Sequence, residues 1–217
     1  MLIVITRRGF AAALLLAGLA GFAQFNPVTD AMAQNAMALV AKPVSLPDMA
    51  LGPEKAPVTI VEYASMTCPH CAAFEENVFP MLKSKYIDTG KVHFVFREFP
   101  LDIKAAAASM LARCIAGGDA GKYFDAVEQL FKQQDQLMDQ TTATLKLIGT
   151  KAGMSEEAVE ACEKDQALLD KLKADQDFAY KELKVNATPT FFINGEMSKG
   201  AMSFEKLDSK IRSLLKK

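Results

Sequence analysis

The stretch YASMTCPHCAAFEENVFPML, residues 63–82, places Cys68 and Cys71 two residues apart, with Pro69 and His70 between them. The residues leading into it, APVTIVEYAS (56–65), are largely apolar and β-branched and read as a buried strand. Pro69 suits the first position of a helix, where its fixed φ fits and its missing N–H is not needed. Cys68 therefore falls at the N-cap, with its sulfur facing unpaired backbone N–H groups, and Cys71 lies one turn in, on the buried side.

That placement has a chemical consequence. A negative charge at a helix N-terminus gains up to ~2 kcal/mol, and ~1.36 kcal/mol moves a pKa by about one unit. The helix alone thus brings the Cys68 thiol from about 8.5 to about 7. A lower value needs further donors to the thiolate, and His70 is the available candidate. A favoured thiolate stabilises the reduced pair, which makes the disulfide a stronger oxidant. Zinc is the main rival, but it wants four ligands. The chain offers one Cys-x-x-Cys pair and two histidines, His70 and His93. Two cysteines and the histidine between them, crowded into one helical turn, make poor tetrahedral geometry, so no metal is expected. A purely structural disulfide across two residues would restrict the unfolded chain little.

Outward from this stretch, Phe74, Val78, Met81, Leu82 and Tyr86 recur at helical spacing, which predicts one helix running to Gly90. KVHFVFREF (91–99) reads as a second strand ended by Pro100. A helical section follows over 103–184, with breaks at Gly117-Gly118, around Thr141 and at Gly153, and with Ser155 as an N-cap. TPTFFINGEMSKGAM (188–202) returns to strand, and Asn194-Gly195 is a two-residue hairpin signal because both positions tolerate positive φ. Ser203 caps a last helix bearing Phe204, Leu207, Ile211, Leu214 and Leu215 on one face. The expected fold is α/β: a sheet domain over 56–102 and 185–217, interrupted by a helical insertion over 103–184. An arm over 34–55 adds at most one short strand.

The chain has 217 residues, 50% hydrophobic and 24% charged, with a formal net charge of −1. Balanced charge gives no basis for a nucleic-acid partner. Met1 to Arg8 carries two arginines and no acid, then GFAAALLLAGLAGF (9–22) is an apolar run, and Ala31-Met32-Ala33 is a small-residue cleavage site. Residues 1–33 therefore read as a signal peptide removed near Ala33. TRRGFA (6–11) also resembles a twin-arginine export signal, although an ordinary signal can carry two arginines at its positive end. By either route the protein is expected in the periplasm, where disulfides persist.

TCPHC after a β-branched strand, with ATPTFFINGE far downstream, resembles the DsbA family of thioredoxin-fold thiol–disulfide oxidoreductases over about residues 53–216. The resemblance implies a thioredoxin-like fold with a helical insertion domain and no cofactor. It makes Cys68 the exposed nucleophile and Cys71 the buried resolving cysteine. Pro189 matches the family's cis-proline, which with Thr188 lies against the redox disulfide and helps hold an extended substrate segment. Glu62, six residues before Cys68, matches a buried acid that assists proton transfer at the resolving sulfur. Its neighbours Ile60, Val61 and Tyr63 also suggest burial.

The implied activity is dithiol oxidation of reduced, unfolded exported proteins, with a membrane quinone-linked partner reoxidising the pair. A disulfide isomerase or reductase shares the motif, and Thr188 does not choose among them. Against an isomerase, residues 34–55 are too few for the separate dimerisation domain of such relatives. A metal-handling protein using Cys68 and Cys71 is the reading from another class. The two remaining cysteines, Cys114 and Cys162, each lie on an apolar helical face, with Met110 and Leu111 and with Ala158 and Val159 respectively. A second disulfide between them is expected, against two buried free thiols as the alternative.

Overall fold

The structure, a computed structural model, describes residues 37–42 and 44–216. The expected signal segment, its Ala33 site and the first residues of the arm lie outside the described residues. Five strands form one sheet: β1 (Met49–Leu51), β2 (Val58–Ala64), β3 (Val92–Glu98), β4 (Thr190–Ile193) and β5 (Glu196–Lys199), in the order β1-β3-β2-β4-β5. β2 and β3 are parallel and are joined by α1 (Pro69–Asn77) and α2 (Phe79–Leu82), a βαβ unit. β4 runs antiparallel to β2, and β5 returns along β4 through Asn194-Gly195, both at positive φ, 45° and 82°.

Six helices lie between β3 and β4: α3 (Ile103–Ala116), α4 (Ala120–Lys132), α5 (Gln134–Asp139), α6 (Thr141–Lys151), α7 (Glu156–Glu163) and α8 (Gln166–Lys181). The chain closes with α9 (Phe204–Leu214). This is a thioredoxin-like α/β fold carrying a helical insertion. Among the described residues no helix is long and apolar enough to cross a membrane.

The single helix expected up to Gly90 is instead broken. Pro80 lacks the N–H that would continue the α1 ladder, so α1 ends at Asn77 and α2 restarts at Phe79. A wide π-type turn over Lys83–Ile87 then leads out.

Strand alternation decides what lies beneath α1. Ile60, Glu62 and Ala64 of β2 point to one face of the sheet, and Ile60 and Ala64 pack there with Cys71, Phe74, Phe94 and Phe191. The Phe74 and Phe191 rings sit 4.8 Å apart, fixing α1 over β4. Val61 and Tyr63 point to the other face, where they meet Val95, Phe192, Ala179, Leu183 and Val40. Glu62 is thereby carried under α1 by the same alternation that buries Ile60.

The far end of β3 is tied down by charge. Arg113 of α3 grips Glu98 with two nitrogens at 2.5 and 2.6 Å, and Tyr123 of α4 donates to the same carboxylate at 2.6 Å. Arg97 pairs with Asp48 of the arm at 2.7 and 2.9 Å and donates to Tyr63 Oη at 2.8 Å. Asp175 of α8 accepts from the Ser45 and Leu46 backbone N–H groups. Arm, sheet and insertion are thus one connected body. Nearby, Cys114 and Cys162 form a disulfide with Cα atoms 6.3 Å apart, beside Leu46, Met110 and Leu172.

Candidate functional site

Cys68 occupies the N-cap of α1 in an extended conformation, φ −86° and ψ 117°, with Pro69 opening the helix. Its backbone carbonyl accepts from Cys71 N and Ala72 N at 3.1 Å each, the first turn that Pro69 permits. Cys71 lies on the helix face that also buries Phe74 and Glu75. Both cysteines are free thiols in this structure, so the site is in its reduced state.

Across from Cys68 stands the Thr188–Pro189 bond, which is cis. It precedes β4, whose Thr190 is in register with Tyr63 of β2, so the loop arrives beside the start of α1. Cys68 Sγ donates to the Thr188 carbonyl at 3.3 Å. The Thr188 hydroxyl is buried with no hydrogen-bond partner, and it becomes a donor to the sulfur once Cys68 ionises.

The Cys68 thiol is lowered to about 5. The largest cause is a hydrogen bond from the Cys71 thiol; Thr188 and the backbone N–H groups of Cys71 and His70 add to it, and burial opposes it. Cys71 moves the opposite way. Burial, its bond to Cys68 and the charge of Glu62 push its thiol far above the ordinary range. At neutral pH the pair is therefore one thiolate and one thiol, held together by the proton that Cys71 keeps.

Two expectations change. Cys68 is only 4% exposed, where the resemblance implies an exposed nucleophile. The Thr188 carbonyl covers its sulfur from one side, and Gln134 of α5 binds the carbonyls of Met66 and Cys68 at 2.9 and 3.1 Å. The exposed residues at the mouth are Pro69 and His70. His70 also acts differently from expectation: its imidazole faces solvent, and it favours the thiolate through its backbone N–H.

Glu62 is 1% exposed, its Oε2 has no partner, and burial raises its carboxyl well above the ordinary range, followed by the charges of Glu75 and Cys68. A carboxyl buried without a partner in this way favours its neutral, protonated form. Among the described residues no three His, Cys, Asp or Glu side chains converge as metal ligands would.

Sequence reasoning passed over three supports. Gln134 ties the insertion to the Cys68 loop, and Asp102 both caps α3 and accepts from Thr67 Oγ1 at 2.7 Å. Glu75 is buried on the Cys71 face of α1. Glu75 had a readable signal in its i+4 spacing from Cys71, and Asp102 in its N-cap position before α3; the Gln134 bonds and the Thr67–Asp102 bond depend on long-range packing.

The comparisons with known proteins converge on this geometry. The family model described as thioredoxin matches residues 45–213. A Rickettsia bellii protein named as a protein-disulfide oxidoreductase is 39% identical over 150 residues, 68% of this chain and 57% of that protein. The chain thus spans little more than half the length of that relative. A Bacillus anthracis protein named as disulfide bond formation protein D is 31% identical over 77% of this chain and 78% of its own. The crystal structure of Wolbachia pipientis alpha-DsbA1 superposes with a TM-score of 0.74 at 34% identity, covering 81% of this chain and 94% of that one. With the CPHC helix, the parallel β2–β3 unit and the inserted helices all in place, this chain belongs to the DsbA family of thioredoxin-fold thiol–disulfide oxidoreductases.

Proposed function

We propose that the protein is a dithiol oxidase of the periplasm that introduces disulfide bonds into reduced, unfolded exported proteins. The observation that carries this reading is the opposed titration of the two cysteines. Taking Cys68 at about 5 against an ordinary 9.0, ionisation stabilises the reduced pair at pH 7 by about 2.7 kcal/mol. For a two-electron couple that makes the disulfide ~60 mV more oxidising than the same pair without the shift.

The reaction starts from the Cys68–Cys71 disulfide. A substrate thiolate attacks Cys68 Sγ, forming a mixed disulfide and releasing Cys71 as a thiolate. Cys68 is the better centre for attack because it sits at the mouth beside His70, whereas Cys71 is sealed at 1% exposure. The Cys71 thiolate, strongly basic in its burial, takes the proton of Glu62. A second substrate thiolate then attacks the substrate sulfur, and Cys68 leaves as the stabilised thiolate. Its low basicity makes it a good leaving group. The substrate has lost two electrons and gained a disulfide; the enzyme has gained a dithiol. Thr188 and Pro189 border the cleft where an extended substrate backbone would lie against Cys68.

Reoxidation requires a partner disulfide that takes the two electrons, for which a membrane quinone-linked oxidase is the proposed source. The test is mixing of oxidised protein, in the absence of oxygen, with a reduced, unfolded protein whose native state carries a disulfide. Stoichiometric transfer of the disulfide to the substrate is the expected result. Rearrangement of scrambled disulfides without net oxidation would favour an isomerase instead.

A further inference from the structure

Cys68 presents its sulfur to the N–H groups of His70 and Cys71 only while its own backbone holds the N-cap conformation, φ −86° and ψ 117°. Rotation about ψ swings the Cys68–Pro69 peptide, and α1 behind it, relative to the sulfur. Whatever fixes that angle therefore belongs to the redox site. Residues 65–68 form a tight turn closed by the Cys68 N–H on the Ser65 carbonyl at 3.0 Å. Among the described residues no backbone donor reaches the Met66 carbonyl, although Met66 is 0% exposed. A buried carbonyl needs a partner.

The helical insertion supplies one. α4 ends at Gln133, φ −108° and ψ 26°, and Gln134 opens α5 toward the turn. The Gln134 amide nitrogen donates to the Met66 carbonyl at 2.9 Å and to the Cys68 carbonyl at 3.1 Å. One NH2 group thus spans the two peptide planes on either side of Thr67–Cys68. α5 is itself anchored, by Leu137 in the core and by Lys104 of α3 on the Met138 carbonyl. The insertion also holds Thr67, whose hydroxyl donates to Asp102, the N-cap of α3. That second tie holds a side chain. Among the described residues Gln134 alone reaches the Cys68 carbonyl from outside α1.

We propose that Gln134 is a positioning residue for Cys68: its amide fixes the backbone that aims the sulfur at the helix N–H groups, so α5 of the insertion helps set the oxidising power of the pair. This inference rests on the redox reading above and deepens it. The sign follows from what else holds the turn. In the oxidised state the Cys68–Cys71 bond itself fixes the two residues against each other. In the reduced state noncovalent contacts do so alone, and ordering an unclamped turn costs conformational entropy. The Gln134 bonds therefore favour the reduced thiolate over the disulfide. They act equally when Cys68 leaves the mixed disulfide. Supporting hydrogen bonds of this kind keep a reacting group in its productive geometry.

The test measures two quantities on the full chain: the Cys68 titration by thiolate absorbance, and the equilibrium constant for disulfide exchange with glutathione. Wild type is compared with Gln134→Met, Gln134→Ala and Gln136→Ala, and unfolding by denaturant is followed for each. Methionine keeps the length and helix preference of glutamine and removes the donor. Both Gln134 variants are expected to raise the Cys68 titration by about one unit and to weaken oxidation of glutathione about tenfold, a fall of ~30 mV. Gln136, exposed on the same helix, should leave both at wild-type values when changed to alanine. Folded Gln134 variants that lose stability with both quantities unchanged would overturn the proposal, because the amide would then hold the chain and not the sulfur. Loss of folding in both variants would overturn it for the same reason. An equal shift in Gln136→Ala would overturn it by making the effect general to α5. A wild-type Cys68 that titrates near the ordinary 9.0 would instead overturn the redox reading on which it stands.

Discussion

Two buried carboxyls, Glu62 on β2 and Glu98 on β3, are treated in opposite ways by the same sheet. Glu98 is 5% exposed and receives both forks of Arg113 and the Tyr123 hydroxyl. Glu62 is 1% exposed and keeps an oxygen without any partner. A buried charge is tolerated when it is paired and hydrogen-bonded, as at Glu98. Left unpaired, the group keeps its proton instead, as at Glu62. The seam between β3 and the insertion therefore holds a paired charge, and the floor of the CPHC helix holds an unpaired carboxyl that favours its proton. The cysteines follow the same division: Cys114–Cys162 is closed in the seam, while Cys68 and Cys71 are poised between thiolate and thiol.

The largest expected effect lies in the seam. Arg113→Ala strands Glu98 without its counter-charge and should cost about 3–5 kcal/mol in denaturant unfolding, because the remaining carboxylate stays buried. Thiol exchange at Cys68 should persist in the folded fraction. A loss below about 1 kcal/mol would place this pair with surface ion pairs and erase the contrast.

Removing the seam disulfide comes next. Its loop spans 48 residues, for which the chain-entropy account gives up to about 4 kcal/mol. The Cys114→Ala/Cys162→Ala variant should unfold at a lower temperature and keep a reactive Cys68. An unchanged melting temperature would show that the bond adds nothing to the seam.

Glu62 should behave in the reverse sense. Its native pKa is raised, so between its ordinary value near 4.5 and its native value the folded state binds a proton that the unfolded state has released. Stability is then lost as pH rises through that window. Glu62→Gln should remove this slope and stabilise the protein at neutral pH by roughly 1–3 kcal/mol. Slower exchange at Cys71 should accompany it. Destabilisation by Glu62→Gln would mean that the carboxylate has a counter-charge after all.

The smallest effect concerns His70. Its imidazole is exposed and makes no hydrogen bond to the sulfur, so His70→Ala should raise the Cys68 pKa by less than about one unit. A larger rise, read from thiolate absorbance, would mean that the ring turns onto the sulfur.

Much of this contrast was legible in one dimension, because it depends on local rules. The β-branched run before Cys68 is β2, Asn194-Gly195 makes the hairpin, and Ser155 and Ser203 cap α7 and α9 by accepting from Ala158 N and Lys206 N. What stayed hidden depends on packing. Helical periodicity through Phe74, Val78 and Leu82 concealed the Pro80 break, since a proline's missing bond leaves the hydrophobic spacing untouched. The shielding of Cys68 arises from Thr188 and Gln134, which only the folded chain brings to it. An acid on an apolar strand, Glu62, is visible in sequence, but nothing in sequence says that it lacks a partner. Glu98, equally visible, is provided with two.

The equilibrium redox potential of the Cys68–Cys71 pair against glutathione tests the central claim most directly. With Cys68 ionised and Cys71 protonated at neutral pH, the potential should lie clearly above the thioredoxin value of about −270 mV. A potential at or below that of thioredoxin would contradict the account, because the thiolate would then contribute nothing to the oxidising power of the disulfide.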